Sequence, residues 1–290
     1  MTQLAPSPGP LVARKAQAPP SLKRANAQPI VKWAGGKTRL LSELTTRLPD
    51  TFERYFEPFF GGGAFFFSLE PSEAFLSDVN EELVLLYRSV RDNLPALIKA
   101  LKRHPYEKEH YYWVRSLDPE SLSEVERAAR TLYLNRTCFN GLYRVNRRGQ
   151  FNVPMGRYTN PVICDEGKLE RARKALSKAT ITHAGFDETM AAPQKGDFVY
   201  FDPPYQPISK TANFTSYTSG SFSEADQARL ADTFRTLAER GVKCMLSNSD
   251  TPLIQELYKD FRVDIVMAPR LISRKASNRR PVREVIVRTY

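Results

Sequence analysis

The sequence predicts an α/β fold built around a mainly parallel sheet. Two strand–turn–helix units follow one another before residue 90, and short apolar strands alternate with amphipathic helices again towards the C-terminus. Strands joined through helices normally pair in parallel, because the helix returns the chain to the edge at which the previous strand began. The stretch between these two parts lacks strand-like segments, so we expect an inserted, mainly helical unit there.

Length and charge narrow the class of protein. The 290 residues suffice for one large domain or for a domain with a small insert. The net charge of +11 favours a polyanionic partner such as nucleic acid, although a merely basic soluble protein has the same balance. No apolar run approaches the roughly 20 residues that span a bilayer, and the N-terminus lacks a signal-peptide core. Three widely spaced cysteines predict neither a disulfide framework nor a metal site, and they fit a reducing cytoplasm.

The chain divides into a tail, a discontinuous sheet-forming part and the insert. Residues 1–28 are rich in Pro and Ala with scattered Lys and Arg, which predicts a disordered basic tail. The sheet-forming part comprises residues 29–90 and 165–290, and its predicted strands lie in RYFEPFF, EAFLSD, ATITHAGF, DFVYFD, VKCMLSN, RVDIVM and REVIVRTY. Its predicted helices lie in TRLLSEL, AFFFSL, NEELVLLYRSV, SEADQARLADTFRTLAERG and TPLIQELYKDF.

The insert, residues 91–164, changes character part-way along. Up to about residue 136 its apolar periodicity is helical, in LPALIKALKRH, EKEHYYWVRSL and SEVERAARTLYLNR. Residues 137–158 are instead rich in Gly, Asn, Arg and aromatic residues, and NRRGQF predicts a β-hairpin turn at Arg148-Gly149. Such a ribbon fits the major groove of DNA, and a solvated basic loop would have the same composition.

The segment GDFVYFDPPYQ places a carboxylate and an aromatic ring at the end of a buried strand. Neither Pro203 nor Pro204 has an N–H to give to a β-ladder, so the strand must end near Asp202. Asp202 and Tyr205 are therefore predicted at the carboxyl edge of the sheet, where doubly wound folds bind their ligands. A strand-terminating turn with a capped acid would use the same residues.

Two glycine clusters are candidate ligand loops. FEPFFGGGAF follows the first strand, where glycine permits positive φ and a close approach of the backbone to a ligand. Its dinucleotide fingerprint is incomplete because Phe66 replaces the last glycine, and WAGGKT lacks the first glycine of a P-loop, so each cluster also fits a structural turn. Asp78 ends the second strand, where it would accept hydrogen bonds from ribose hydroxyls or cap the following helix.

The motifs KWAGGK, FEPFFGGGAF, LSDVN, NRTCFNGLYRVNRRGQFNVPMGRY and FDPPY occur in this order. Together they resemble the Dam-type DNA adenine-N6 methyltransferases over residues 29–290. The resemblance implies a Rossmann-like class I methyltransferase with a mixed sheet of about seven strands and an inserted DNA-recognition domain. It also implies S-adenosylmethionine as methyl donor, double-stranded DNA as substrate, GATC as target and no metal. We expect a cytoplasmic, nucleoid-associated monomer that neither binds a membrane nor needs an obligate protein partner.

The resemblance also implies which residues form the site. The catalytic residues would be Asp202, Pro203, Pro204 and Tyr205. The cofactor-binding residues would be Trp33, Ala34, Gly35, Lys37, Phe59, Gly61, Gly63, Ala64, Phe65, Asp78, Phe186 and Asp202. Core packing is an alternative role for Trp33. The chain departs from the family in AGFDET, because Gly185 stands where members often carry an Asp near the cofactor's adenine, and whether Asp187 replaces that Asp is open.

The implied DNA contacts come from the insert and from the first motif. Arg144 would read a guanine through a two-donor fork, Asn140 would bind a phosphate, and Phe139 would fill the space left by a flipped adenine. Leu142 and Pro154 would contact neighbouring bases. The whole DNA-binding set is Lys32, Phe139, Asn140, Leu142, Arg144, Arg147, Arg148 and Pro154.

A strand-end acid and ring would act on the amino group of an extrahelical adenine. The Asp202 carboxylate and the Pro203 carbonyl would accept its two N–H groups, and Tyr205 would stack on the base. Two other functions stay open. The first is methyl transfer to RNA or to cytosine N4, against which DPPY and the Dam-like reader argue. The second is DNA binding without catalysis.

Overall fold

The computed structural model describes residues 26–208, 222–268 and 282–290. Within these ranges a mixed sheet has seven strands in the order β3-β2-β1-β4-β5-β7-β6. The strands are β1 Tyr55–Glu57, β2 Ala74–Asp78, β3 Ala179–His183, β4 Phe198–Phe201, β5 Lys243–Ser249, β6 Arg262–Ala268 and β7 Val282–Arg288. The first five run in parallel, and β7 lies antiparallel between β5 and β6. The predicted mixed sheet of about seven strands is confirmed.

The register brings the carboxyl ends of the central strands to one edge. In the pairing of β1 with β4, Phe56 lies opposite Val199, and β1 pairs with β2 on its other side. Since all three strands run in the same direction, the segments that leave them start next to one another. The glycine loop after β1, Asp78 at the end of β2 and the DPPY segment after β4 therefore meet at this edge.

Helices cover both faces of the sheet. The helices are α1 Leu41–Thr45, α2 Ala64–Leu69, α3 Glu81–Asp92, α4 Leu94–Leu101, α5 Lys108–Ser116, α6 Glu124–Thr137, α7 Glu166–Leu176, α8 Phe186–Thr189, α9 Glu224–Glu239 and α10 Pro252–Leu257. Residues of α1 to α7 share the larger apolar core, and α8, α9 and α10 pack over the smaller core on the other face. None of the described helices is both long and apolar enough to cross a membrane.

Local sequence signals explain where the longer helices begin. Asn80 caps α3, and Ser123 and Ser223 open α6 and α9 through reciprocal capping boxes with Glu126 and Asp226. Helices α7 and α8 were not among the predicted elements. For α7 the missed signal was Asp165, which caps the helix by accepting a hydrogen bond from the Lys168 amide.

The inserted helices are not set apart from the sheet. Helices α4 and α6 pack on α3, and side chains of α5 and α6 belong to the same apolar core as α2 and β1. The predicted boundary between residues 90 and 91 falls inside α3, which continues to Asp92. The division into catalytic domain and insert stays a prediction about function, because the two parts share one core.

The N-terminal boundary lies slightly earlier in the chain than predicted. Residues 1–25 lie outside the described residues, so the predicted tail is not described there. Ala27 is buried, and its amide donates a 2.9 Å hydrogen bond to Glu70 Oε1. The packed chain therefore begins before residue 29.

The predicted hairpin is present with little regular pairing. Two isolated antiparallel bridges, Cys138 with Met155 and Val145 with Phe151, join its arms. At its tip the Asn146 amide donates to the Gln150 carbonyl at 2.8 Å, and Gly149 has φ +76°. Gly149 supplies the left-handed conformation that this turn requires. Residues 137–158 are called the reader segment below.

Candidate active site

Two buried amide side chains fix the DPPY loop through hydrogen bonds to its backbone. Gln227 donates to the Pro204 carbonyl at 2.9 Å, and Asn248 accepts from the Gln206 amide at 3.0 Å. The two amides also bond each other at 3.0 Å. Within the described ranges no hydrogen bond reaches the Pro203 carbonyl. The loop is thus fixed on both sides of a main-chain acceptor that stays available.

Asp202 has one oxygen anchored and the other unengaged. Lys37 Nζ lies 2.7 Å from Oδ1, and Ser247 Oγ donates to the same oxygen at 3.0 Å. No hydrogen bond from the described part of the chain reaches Oδ2. The side chain is 17% exposed, so it is not sealed inside the core. Burial raises the pKa of Asp202, and the charge of Lys37 opposes that rise.

Tyr205 is fixed at its hydroxyl and at its ring. The hydroxyl donates to Glu284 Oε2 at 2.9 Å, and Lys37 Nζ lies 4.4 Å from the ring centroid. Lys37 also donates to the Gly35 carbonyl at 2.6 Å. Burial raises the pKa of Glu284, while Lys37 and the Tyr205 hydroxyl act in the opposite direction. One buried ammonium therefore joins KWAGGK to both functional groups of DPPY.

The glycine loop after β1 has no room for side chains at two positions. Gly61 and Gly63 have φ of +48° and +65°, conformations that L residues rarely adopt. A Cβ on Gly61 would lie 3.1 Å from the Trp33 ring, and a Cβ on Gly63 would lie 2.6 Å from the Phe60 ring. Trp33 therefore packs directly on the loop, as well as against the larger apolar core.

Asp78 organises this loop and does not cap the next helix. Its Oδ2 accepts from the Gly61 amide at 2.8 Å, and its Oδ1 accepts from the Asn80 amide at 2.8 Å. Burial raises the pKa of Asp78, and the two amide hydrogen bonds oppose that rise. Asn80, not Asp78, is the cap of α3. Each carboxylate oxygen keeps a further lone pair that could accept a hydrogen bond from a hydroxyl group.

An apolar surface flanks Asp78 at the same edge. Val79 is 62% exposed, and Phe186 forms an aromatic group with Phe59 and Phe222, with ring centroids 5.6 Å and 6.1 Å from its own. Asp187 pairs instead with Arg229 at 2.9 Å on the exposed surface. The carboxylate of Asp187 is thus engaged elsewhere.

The reader segment presents its predicted DNA residues to solvent. Phe139 is 50% exposed, and Asn140 adopts a left-handed conformation with φ +56°. Arg144 is exposed and donates through Nε to Asn152 Oδ1 at 2.7 Å, which fixes the guanidinium while Nη1 stays unengaged by the described residues. The other exposed members of the predicted set are Lys32, Arg147, Arg148 and Pro154, and Leu142 is half-buried.

Comparison with known proteins identifies the family. The model of the D12 class N6 adenine-specific DNA methyltransferases matches residues 33–270. The chain belongs to this family. It is 47% identical over 273 residues to the type II methyltransferase M1.LlaDCHI of Lactococcus lactis subsp. cremoris, a match that covers 91% of this chain and 96% of that one.

Two further relatives cover most of their own length. The type II methyltransferase M.MjaIII of Methanocaldococcus jannaschii is 41% identical over 286 residues, which cover 91% of this chain and 99% of the relative. The DNA adenine methylase of Escherichia coli K12 is 37% identical over 260 residues, which cover 88% and 93%. The predicted enzyme class, adenine-specific DNA methyltransferase of the class I fold, is confirmed.

The methyltransferase brings the DPPY segment, Lys37, the glycine loop and Asp78 to one edge of the sheet. The predicted cofactor residues Ala64 and Phe65 are instead buried in α2, where the Phe65 ring belongs to the larger apolar core.

The same edge of the sheet also contains residues that the sequence did not point to. Ser247 and Glu284 contact the catalytic pair from β5 and β7, and Val79 borders Asp78. Val79 had a signal, since an apolar residue directly after a strand-end acid is unusual on a surface. Ser247 and Glu284 had no such signal in the sequence, because each lies within a strand pattern that does not distinguish it from its neighbours.

Two cavities lie away from Asp202. One of about 410 Å³ is part of the reader segment and is lined by Phe139, Asn140, Pro154, Met155, Arg157 and Tyr158. The other, of about 440 Å³, lies under α8 and is lined by residues of β1, β2 and β3, among them Phe56, Phe75 and Thr182. The first cavity coincides with predicted DNA-binding residues, and the second contains none of them. In the described ranges no three His, Cys, Asp or Glu side chains form a metal-binding group.

Proposed function

We propose that this methyltransferase uses S-adenosylmethionine to methylate N6 of an adenine that has flipped out of duplex DNA at GATC. One observation carries the proposal above all. At the sheet edge, the Asp202 carboxylate has Oδ1 anchored and Oδ2 unengaged, next to the unpaired Pro203 carbonyl and the fixed Tyr205 ring. These are two acceptors and a stacking platform, which an aminopurine requires.

The residues at this edge fit the proposed methyl donor. Asp78 keeps lone pairs for ribose hydroxyls, and the exposed Val79 side chain provides apolar surface for a purine ring, next to Phe186, which is 5% exposed. The glycine loop is packed so closely that a side chain on Gly61 would meet Trp33 and one on Gly63 would meet Phe60, so this loop requires glycine at both positions. When bound, S-adenosylmethionine supplies an electrophilic methyl group on a positively charged sulfur.

The protein groups would act by orienting the target amino group. The amino nitrogen of adenine is a weak nucleophile because its lone pair is delocalised into the ring. Hydrogen bonds from its two N–H groups to Asp202 Oδ2 and to the Pro203 carbonyl would favour a pyramidal nitrogen. As the nitrogen becomes positively charged in the transition state, the fixed carboxylate stabilises it without reorganisation. Lys37 helps to keep that carboxylate ionised.

Base flipping is supported by the exposed Phe139 side chain and by the Tyr205 ring at the site. N6 of a stacked base pair cannot reach a donor at the sheet edge, so the adenine must leave the helix. Phe139 would enter the gap, and Tyr205 would stack on the extruded base. Stacking contributes about 1–3 kcal/mol per base, which offsets much of the cost of flipping.

Recognition of GATC would reside in the insert, and chiefly in the reader segment. Its resemblance to Dam-type enzymes and the held guanidinium of Arg144 support this assignment. With Nε and one N–H of Nη2 directed at Asn152, Nη1 and the second N–H of Nη2 would provide the donors for O6 and N7 of one guanine. Arg147 and Arg148 at the hairpin tip would contact phosphates, which position the protein without reading sequence.

Product analysis tests the proposed function. The purified protein is incubated with tritiated S-adenosylmethionine and with duplexes that differ only in carrying GATC or a site changed at one base. We expect N6-methyladenine among the nucleosides obtained by digesting the GATC duplex. We also expect this duplex to resist an endonuclease whose cleavage is blocked when GATC is methylated. Label in N4-methylcytosine, or equal label in both duplexes, would refute the proposed substrate or the proposed target respectively.

A further inference from the structure

One buried side chain ties the KWAGGK segment, residues 32–37 and called the cofactor motif below, to the reader segment. Asn135 lies in the last turn of α6 and is 4% exposed. Its Oδ1 accepts from the Lys32 amide at 2.9 Å, and its Nδ2 donates to the Lys32 carbonyl at 2.8 Å and to the Gly141 carbonyl at 3.1 Å. Both amide N–H groups and one acceptor position are therefore used. A single amide thus holds both backbone groups of Lys32 and one of the reader segment.

Packing around Asn135 makes the same connection. Gly141 has φ +65°, and a Cβ there would lie 2.6 Å from Lys32 Cδ, so the Lys32 stem rests on the bare glycine. The Trp33 and Tyr143 rings are 5.0 Å apart. A shift of the reader segment at Gly141 must therefore move Lys32 and Trp33, because no gap separates the two segments.

The cofactor motif continues this connection to the catalytic acid. From Lys32 the chain turns within five residues, with the Gly36 amide bonded to the Trp33 carbonyl at 3.1 Å. It then reaches Lys37, whose ammonium contacts Asp202 Oδ1. The contacts run without interruption from Gly141 through Asn135 to Lys32, and from Lys37 to Asp202. None of these steps passes through the sheet.

We propose that Asn135 is a positioning residue that couples DNA recognition to the cofactor site, an inference that rests on the proposed function. When the reader segment settles on its target, Gly141 is fixed, and the Asn135 amide transmits that position to Lys32. The cofactor motif is then held in its binding conformation. By thermodynamic reciprocity, cofactor binding must strengthen binding of the target DNA by the same factor.

The coupling is measured directly with a non-reactive cofactor product. The dissociation constant of a fluorescent GATC duplex is determined with and without saturating S-adenosylhomocysteine, and the ratio is the coupling factor. For the wild type we expect a factor of about five or more, in the usual range of such couplings. A duplex altered at one base of GATC should give a factor near one, because the reader segment does not settle on it.

Asn135→Asp removes the donors and keeps the acceptor. The variant can still accept from the Lys32 amide, but it places a second carboxylate oxygen against the two carbonyls. We expect its coupling factor to fall to about one, while each ligand alone binds within about threefold of wild type. Gly141→Ala forces a methyl group against the Lys32 side chain. It should abolish the coupling through a change in the reader segment and not in Asn135. This second variant tests the inference even if Asn135→Asp does not fold.

A matched control lies one turn earlier in α6. Thr131 is buried and donates to Glu82 at 2.6 Å, and Glu82 keeps its ion pair with Arg127 when that bond is lost. Thr131→Val should therefore retain the wild-type coupling factor. A wild-type factor in Asn135→Asp or Gly141→Ala, or an equal fall in Thr131→Val, would overturn the inference. So would a wild type that methylates GATC with no coupling, whereas the absence of methylation would instead refute the proposed function.

Discussion

The catalytic edge and the reader segment use charge in opposite ways. At the catalytic edge Lys37 is buried and paired with Asp202 Oδ1, and the hydroxyl groups of Ser247 and Tyr205 each have a defined partner. In the reader segment Arg147 and Arg148 are exposed at the hairpin tip, where no ion pair among the described residues engages them. A charge that must be oriented for one transition state gains from burial, whereas a charge that must meet a phosphate has to remain accessible.

Arg144 lies between these two extremes. Its guanidinium is exposed, as recognition requires, but Asn152 holds it in one orientation. Reading a base edge needs both properties, because a two-donor fork discriminates only when its direction is fixed. Substitutions should therefore alter the chemical step at the catalytic edge and alter binding and discrimination in the reader segment.

The largest effect is expected at Asp202. Asp202→Asn keeps the shape of the side chain but removes the charge that stabilises the developing positive nitrogen. We expect the single-turnover rate on a GATC duplex to fall by at least about 10³-fold, roughly 4 kcal/mol, with DNA affinity within about threefold of wild type. Asp187→Asn is the matched control, since Asp187 pairs with Arg229 at the surface. A fast Asp202→Asn enzyme would rule out the carboxylate's assigned role.

Replacing Lys37 should change both the free energy of unfolding and the pH dependence of the methylation rate. Lys37→Met leaves the Asp202 carboxylate without its buried cation, and we expect a loss of about 3 kcal/mol in the free energy of unfolding. Because Lys37 lowers the pKa of Asp202, its removal raises that pKa further. Activity requires the ionised carboxylate, so the acidic limb of the rate profile should move to higher pH.

This shift is measured from single-turnover rates between pH 5 and 9 at saturating S-adenosylmethionine and DNA. Denaturant unfolding of the same variant gives the change in stability. Lys259→Met provides a control, because Lys259 pairs with Glu256 on the exposed surface. An unchanged acidic limb in Lys37→Met would show that Asp202 does not depend on this ion pair.

The strands could be predicted from the sequence because their signals are local. DFVYFD and VKCMLSN are short apolar runs bounded by turn residues, and Pro203 marks the end of β4. The same locality allowed DPPY, Asp78 and the glycine loop to be assigned to one sheet edge, since parallel strands place their carboxyl ends together. Helix α7, absent from the predicted elements, has local signals of the same kind in its Asp165 cap and in the helical spacing of its apolar residues.

The partners of the catalytic residues could not be predicted in the same way. Ser247 and Glu284 are 45 and 79 residues from Asp202 and Tyr205, and nothing in strand periodicity marks them as polar partners. Asn135 lies in a helical run in which a buried amide reads as an ordinary polar position. Their roles depend on tertiary distances, which a one-dimensional pattern does not contain.

In the reader segment the largest loss is expected for Arg144→Ala. Removing the fork should cost about 1–3 kcal/mol of discrimination at one guanine, so rates on duplexes altered there should approach the rate on GATC. Arg147→Ala should instead weaken binding to all duplexes alike and reduce the slope of log affinity against log salt by about one. Relative rates on GATC and its single-base variants, measured for both mutants, separate the two roles. An unchanged ratio in Arg144→Ala would assign guanine reading elsewhere.

The smallest effect is expected at Glu284, whose carboxylate acts only through the Tyr205 hydroxyl. Glu284→Gln keeps an acceptor and should be nearly neutral, whereas Glu284→Ala loses the 2.9 Å hydrogen bond and should weaken stacking of the target base by about 0.5–1.5 kcal/mol. With 2-aminopurine at the target position, fluorescence reports how much of the base is stacked on Tyr205. In a Tyr205→Phe background the hydroxyl is already absent, so Glu284→Ala should have no further effect on that signal. Additive effects of the two substitutions would mean that Glu284 acts on the site by another route, with its charge near Lys37 and Asp202 as the next one to test.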